Sequence, residues 1–278
     1  MGGGFLYPWP GSKQRSSDWR YKLISALQVK DLSLSIGGAK ILEGITLSVN
    51  QNETLGIIGP NGAGKTSFFN LLSGVRKPTR GEILLGDRDI TNLPPHERAK
   101  LGLARTFQTS SVFTNLTCLE NVRIAAQSAN GKSMNLTRNA YKFDDVVATA
   151  HECLAKVGLA PRALQLAGSL SHGDKRRLEI AIVLASKSDI VMLDEPMAGM
   201  SVENVPELVE IIKSLKEVHK KTVLIVEHHL EVVLDLADRI AVLNYGELLV
   251  CDTPQNVINN PTVQSAYIGE ALCATCSR

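Results

Sequence analysis

The sequence predicts an α/β fold in which a parallel β-sheet forms the core, an antiparallel β part precedes it, and a helical subdomain is inserted. Three observations support this prediction. A glycine-rich loop at residues 59–66 lies between a strand pattern and a helix pattern. Continuous apolar runs at 189–194 and 222–227 are typical of buried parallel strands. From about residue 109 to 170 helical patterns replace strand patterns.

The first half of the chain contains a hairpin and the glycine-rich loop. Residues 27–36 alternate apolar and polar side chains, and 41–49 form a second strand after the Gly37-Gly38 turn. Residues 53–58 form a buried strand, and a helix begins at Ser67. A turn at 77–81 precedes a short strand at 82–85. Helical windows follow at 119–126, 145–157 and 176–185.

The second half returns to alternating strands and helices. A helix after residue 204 has an apolar inner face, with Asn204 as the expected N-cap. The residues of this face are Leu208, Ile211, Ile212, Leu215 and Val218. Further strands are expected at 239–243 and 248–250, and Pro254 opens a final short helix.

The bulk properties indicate one domain that does not cross a membrane by itself. The 278 residues suffice for a full α/β core, and no run of 18 apolar residues exists. We expect a disordered leader at 1–24 and a single domain at 25–270. Within it, a helical subdomain spans about 109–185, and a flexible tail follows at 271–278. The net charge of +2 gives no argument for nucleic acid.

Five cysteines are scattered along the chain. Cys273 and Cys276 form one C-x-x-C pair without a second pair, which is a weak metal pattern, so free thiols in a cytosolic compartment are favoured.

The loop at 59–66 fits the phosphate-binding pattern G-x-x-x-x-G-K-[ST] at every specified position. Its residues are Gly59, Pro60, Asn61, Gly62, Ala63, Gly64, Lys65 and Thr66. Backbone N–H groups of such a loop and the following helix N-terminus bind phosphate oxygens. Lys65 would reach the terminal phosphates and Thr66 would bind Mg²⁺, and Ser67 is included in the nucleotide site.

Two acidic residues at a strand end suggest hydrolysis. Asp194 and Glu195 end the apolar run 189–194, and ligands of open α/β sheets bind at the carboxyl ends of strands. Asp194 can hold Mg²⁺, and Glu195 can activate the attacking water as general base. His228 follows the strand at 222–227 at the same edge, which favours contact with the terminal phosphate.

Two further features lie near the helical insertion. Gln108 stands at the junction with the core, where its amide can orient water or contact Mg²⁺. Ser171 and Asp174 form a capping-box pattern before the helix at 176–185. An exposed serine at a helix N-terminus can also bind phosphate.

The order of these motifs resembles the ATP-binding cassette (ABC) ATPases over about residues 27–270. The resemblance implies a P-loop NTPase core that binds ATP and Mg²⁺, and a head-to-tail pair of cassettes. It assigns Mg²⁺ to Thr66, Gln108 and Asp194, and catalysis to Lys65, Gln108, Glu195 and His228. Four signature residues would complete the site of a second subunit, and these are Ser171, His172, Gly173 and Asp174.

This sequence departs from the family pattern at three places. His172 replaces a glycine and Asp174 a glutamine in the signature, and an acid near phosphate needs a partner, for which we expect Lys175 or Arg177. Ile36 takes the place of the aromatic residue that stacks on adenine, so adenine would be held by apolar contact. The segment 198–201 lacks the usual terminal aspartate. Glu195 is retained, so hydrolysis is expected.

The sequence resembles the ATP-binding subunits of branched-chain amino-acid importers in three segments, which are residues 194–200, Arg105–Gln108 and 260–269. The Leu170–Gly173 variant also resembles urea or short-chain amide importers, which is the alternative. The resemblance implies membrane permease subunits, a periplasmic binding protein acting indirectly, and a peripheral position on the cytoplasmic membrane face. A soluble, non-transport ABC ATPase is the alternative of another class. A cassette that does not turn over is disfavoured by Glu195 and His228.

Overall fold

The computed structural model describes residues 25–106, 112–129 and 144–265. The strands are β1 (Ser25–Ile36), β2 (Ala39–Asn50), β3 (Thr54–Ile58), β4 (Arg80–Leu85), β5 (Arg88–Asp89), β6 (Leu103–Arg105), β7 (Ile190–Asp194), β8 (Thr222–Val226), β9 (Arg239–Asn244) and β10 (Glu247–Asp252). The helices are α1 (Lys65–Leu72), α2 (Pro95–Lys100), α3 (Cys118–Ala129), α4 (Asp144–Lys156), α5 (His172–Ala185), α6 (Val205–Glu217), α7 (Leu230–Leu236), α8 (Pro254–Ile258) and α9 (Pro261–Val263). The expected leader, Gln108 and the expected tail with Cys273 and Cys276 lie outside the described residues.

The larger sheet has the strand order β10-β9-β3-β8-β7-β6. Neighbouring strands from β9 to β6 run parallel, and β10 pairs antiparallel with β9. Every residue of β3, β7 and β8 is buried, as continuous apolar runs predict for strands covered on both faces. The chain turns after β3, β7 and β8 at one edge of the sheet, and the residues expected to bind nucleotide follow these strands.

The smaller sheet is antiparallel, with the strand order β2-β1-β4-β5. Its hairpin turns at Gly37 and Gly38, whose φ angles of 55° and 86° suit a turn with both central residues left-handed. Its apolar face packs with Phe68 and Phe69 of α1 in one hydrophobic cluster. The predicted combination of a parallel core and an antiparallel β part is therefore confirmed.

Helices α3, α4 and α5 lie between β6 and β7 along the chain and share one hydrophobic cluster. The helical windows at 119–126 and 145–157 thus correspond to α3 and α4. The limits of the inserted subdomain, about 109–185, stay a prediction. No helix in the described ranges is long and apolar enough to cross a membrane.

Helix α6 differs from the sequence expectation at both ends. Asn204 caps no backbone group with its side chain, because a 3₁₀ turn at Val202–Asn204 precedes the helix. Its amide nitrogen instead donates to Ser201 Oγ at 2.7 Å. At the other end Val218 lies beyond the last helical residue and is 68% exposed, so it does not belong to the inner face.

Candidate nucleotide-binding site

The glycine-rich loop joins β3 to α1 and leaves little space for side chains. Gly64 has a φ of 101°, and a Cβ there would lie 2.5 Å from Leu42 Cδ2. A Cβ on Gly59 would lie 2.2 Å from the carbonyl oxygen of Leu243. The neighbouring strands therefore require glycine at these two positions, which leaves the loop's backbone N–H groups free of side chains.

The Lys65 side chain contacts the start of the loop that precedes it. Its Nζ donates to the carbonyl oxygens of Gly59 at 2.7 Å and Pro60 at 3.0 Å. Burial lowers the pKa of Lys65, and the negative charge of Glu195 acts in the opposite direction. An anion placed beside this amine would compensate for its lost hydration, which suits a phosphate-binding residue.

A cavity of about 210 Å³ opens in front of the loop. Its walls are residues 61–67 together with Ile41, Glu195 and His228. The structure thus brings nine predicted site residues together, and these are Asn61, Gly62, Ala63, Gly64, Lys65, Thr66, Ser67, Glu195 and His228. Ile36 is 43% exposed at the hairpin and does not line this cavity, whereas Ile41 of β2, which the sequence analysis missed, does.

Glu195 and His228 form a hydrogen bond at the mouth of the cavity. Glu195 Oε1 and His228 Nε2 are 2.8 Å apart. Glu195 has a φ of 49°, and its N–H donates to the carbonyl oxygen of Val226 at 2.9 Å. Because Glu195 follows β7 and His228 follows β8, the parallel pairing of these strands places the two side chains together.

Glu227 fixes the turn after Glu195, a role that the sequence analysis did not foresee. Its buried carboxylate accepts from the N–H of Met197 at 2.7 Å and from the N–H of His228 at 3.1 Å. One carboxylate thus ties the two loops that carry Glu195 and His228. The only sequence sign was an acid at the end of an apolar strand, which the motif at 194–195 overshadowed.

Asp194 is paired with Arg105 beneath the cavity. Asp194 Oδ2 and Arg105 Nη2 are 2.7 Å apart, and both side chains are buried. The other oxygen, Asp194 Oδ1, is buried and has no hydrogen-bond partner among the described residues. A buried carboxylate oxygen that lacks a partner, at the same edge as the Thr66 hydroxyl, fits a hard cation such as Mg²⁺.

The signature residues lie elsewhere on the chain. Ser171 is the N-cap of α5, and its Oγ accepts from the N–H of Asp174 at 3.2 Å. None of the residues 171–174 lines the cavity in front of the loop. The expectation that Lys175 or Arg177 pairs with Asp174 is met by Arg177, which lies 3.9 Å from Asp174 Oδ1. Arg162, which the sequence analysis missed, makes the closer ion pair with Asp174. Within the part of the chain that the structure describes, Lys175 makes no ion pair with Asp174.

Comparisons with known proteins agree on one family. The family model described as ABC transporter matches residues 42–198. The branched-chain amino acid transport ATP-binding protein LivG of Salmonella typhimurium is 38% identical over 88% of this chain and 98% of its own length. BraF of Pseudomonas aeruginosa, of the same description, is 36% identical over 88% of this chain and 98% of its own length.

Solved structures give the same result at the level of the fold. The ADP conformation of MJ1267, an ATP-binding cassette of an ABC transporter, is 29% identical with a TM-score of 0.77. The alignment covers 88% of the present chain and 99% of the MJ1267 chain. The family model, these relatives, and the cavity formed by the phosphate loop, Glu195 and His228 agree, and the chain belongs to the ABC transporter family of ATP-binding cassettes.

Proposed function

We propose that the chain binds and hydrolyses ATP to energise an importer of branched-chain amino acids. The observation that carries the hydrolytic part is the Glu195–His228 hydrogen bond at the mouth of the phosphate-loop cavity. The substrate class rests on the described activity of the LivG and BraF relatives. The chain would work at the cytoplasmic face of the membrane, together with permease subunits and a periplasmic binding protein.

In this mechanism the loop and Lys65 bind the phosphates of ATP. Glu195 takes a proton from the attacking water as the new O–P bond forms and ADP leaves. His228 orients the Glu195 carboxylate through their hydrogen bond. Thr66 and Asp194 would hold Mg²⁺, which neutralises charge on the phosphate oxygens, and Gln108, outside the described residues, is a further candidate ligand.

The cavity is open on one side, and a second cassette would close it. We infer that Ser171, His172, Gly173 and Asp174 face the terminal phosphate bound by that second subunit. The support is their position: Ser171 and His172 are exposed, Gly173 and Asp174 lie buried directly behind them, and none of the four lines the chain's own cavity. The N–H groups at the start of α5 and the helix dipole favour an anion there.

A largely apolar groove offers a place for the permease. It has a volume of about 330 Å³ and lies between α2, α5 and β6. Its wall includes Val75, Ala99, Ile182 and Arg105, and Arg105 also pairs with Asp194. We propose that a helix of a permease subunit docks here, because an occupant of this groove would touch a residue that contacts the metal-binding carboxylate.

Ala99→Arg tests the groove. Ala99 is exposed on α2, so we expect the arginine to leave the fold and the ATPase rate of the isolated chain unchanged while blocking co-purification of the permease. The matched control is Ala155→Arg on α4, an exposed helical alanine outside the groove. Permease recovery equal to that of the unchanged chain would contradict this docking site.

Uptake by whole cells tests the transport proposal. We expect cells that lack the chain to lose uptake of radiolabelled leucine, and the unchanged chain to restore it. Lys65→Ala should restore none, because phosphate binding is lost, whereas the exposed Lys77→Ala should restore all of it.

Urea uptake in the same cells separates the alternatives. Urea uptake that depends on the chain, with leucine uptake independent of it, would favour the urea importer indicated by Leu170–Gly173. Independence of both would leave a non-transport ABC ATPase.

A further inference from the structure

Asp174 receives two donors on one carboxylate oxygen. The Ser171 hydroxyl donates to Asp174 Oδ2 at 2.7 Å, and Arg162 Nη1 donates to the same oxygen. Arg177 lies 3.9 Å from the other oxygen, and its own Nη2 is engaged by Glu207. Arg162 is therefore the one cation in direct hydrogen-bond contact with Asp174 among the described residues.

This arrangement restricts what Ser171 can do. A hydroxyl carries a single hydrogen, and ionised phosphate oxygens only accept hydrogen bonds. While Ser171 donates to Asp174, it has no hydrogen left for a phosphate. To bind phosphate, Ser171 must leave Asp174, which is buried and would then need another donor.

Arg162 can serve as that donor. Its guanidinium stays on Asp174 Oδ2 when the hydroxyl turns away, so the carboxylate remains paired and its charge remains compensated. The Arg162 side chain is about half exposed and belongs to a 3₁₀ turn after α4, so it reaches Asp174 from a separate segment and does not move with Ser171.

We propose that Arg162 is a positioning residue for the in-trans phosphate site: by neutralising Asp174, it frees the Ser171 hydroxyl to contact the terminal phosphate bound by the neighbouring subunit. This inference rests on the proposed function of residues 171–174. It also explains how an acid can stand at position 174 beside a bound triphosphate. The alternative is that the Arg162–Asp174 pair only fastens the turn after α4 to α5.

A double-mutant comparison tests the proposal in the complex purified through a tag on this chain with its co-expressed partner subunits. We expect Arg162→Ala to lower kcat for ATP hydrolysis about tenfold, which corresponds to 1.4 kcal/mol. KM should change little, since Arg162 does not line the cavity that contains Lys65 and the phosphate loop. Arg162→Lys should retain most activity, because it keeps the charge.

The decisive variant combines Arg162→Ala with Asp174→Asn. Without the acid, Arg162 is no longer needed, so the double variant should match Asp174→Asn alone. Arg80→Ala is the control, because its ion pair with Asp31 joins β4 to β1 and is exposed. A double variant that hydrolyses ATP as slowly as Arg162→Ala would overturn the role of Arg162, and so would an unchanged kcat in Arg162→Ala. Either result would leave the proposed function of the chain standing. An unmutated complex without ATPase activity would overturn the proposed function and this inference with it.

Discussion

Glu195→Gln is expected to stop ATP hydrolysis while leaving MgATP binding intact. Glutamine has nearly the same shape and can keep the hydrogen bond to His228, but it cannot take a proton from water. A positioned general base contributes about 10²–10⁴-fold to the rate, so the variant should lose activity by that factor. Steady-state phosphate release measures the loss, and fluorescent ATP analogues measure the retained binding.

The same variant should accumulate in an ATP-bound closed pair of cassettes, because hydrolysis is what would open it. Glu203→Gln is the matched control, since Glu203 is an exposed acid in the turn before α6. Its rate and its assembly state should equal those of the unchanged chain. An unchanged rate of phosphate release in Glu195→Gln would exclude Glu195 as the base.

The parts of the site that the sequence predicted are local in the chain. The phosphate loop, Asp194 and Glu195 each belong to a short motif at the end of an apolar strand, and the parallel sheet brings such ends to one edge. His228 was predicted for the same reason. The fold therefore converts three separate strand ends into one cavity, and the pattern of apolar runs was enough to foresee this.

The parts that the sequence did not predict are pairings between distant residues. Arg105 meets Asp194 across 89 positions of the chain, and Arg162 meets Asp174 from a separate turn. Sequence periodicity does not identify such partners, because a charged residue contributes to the pattern in the same way whether its side chain faces water or a buried acid. Short elements were missed as well: β6 has three residues and α2 six, too few to show a period.

Arg98 is the clearest case of a side chain that the sequence would place in water. It lies on α2 in the polar run Pro95–Lys100, yet it is only 1% exposed. Its guanidinium donates to four carbonyl oxygens, at distances of 2.6 to 2.9 Å. The acceptors are Leu71, Leu72, Thr91 and Leu93. Burial lowers the pKa of Arg98 to about 10, so the group is still charged at neutral pH.

Arg98→Met is expected to cost about 4 kcal/mol of the free energy of unfolding. Methionine fills much of the space, but it donates no hydrogen bond, so the four carbonyl groups lose their shared donor. Two of these, Leu71 and Leu72, end α1, the helix that carries Lys65 at its start. The loss should therefore loosen the packing between α1 and α2 and lower the urea midpoint at constant ionic strength.

Lys100→Met on the same helix separates this effect from a change in helix propensity. Lys100 is exposed, so its replacement should shift the free energy of unfolding by no more than about 0.5 kcal/mol. Urea titrations followed by far-ultraviolet circular dichroism compare the two variants. Equal midpoints would mean that water replaces the guanidinium at the four carbonyl groups without cost. A large difference would establish that a buried arginine, drawn from a polar stretch of sequence, fastens the C-terminal end of the phosphate-loop helix to α2.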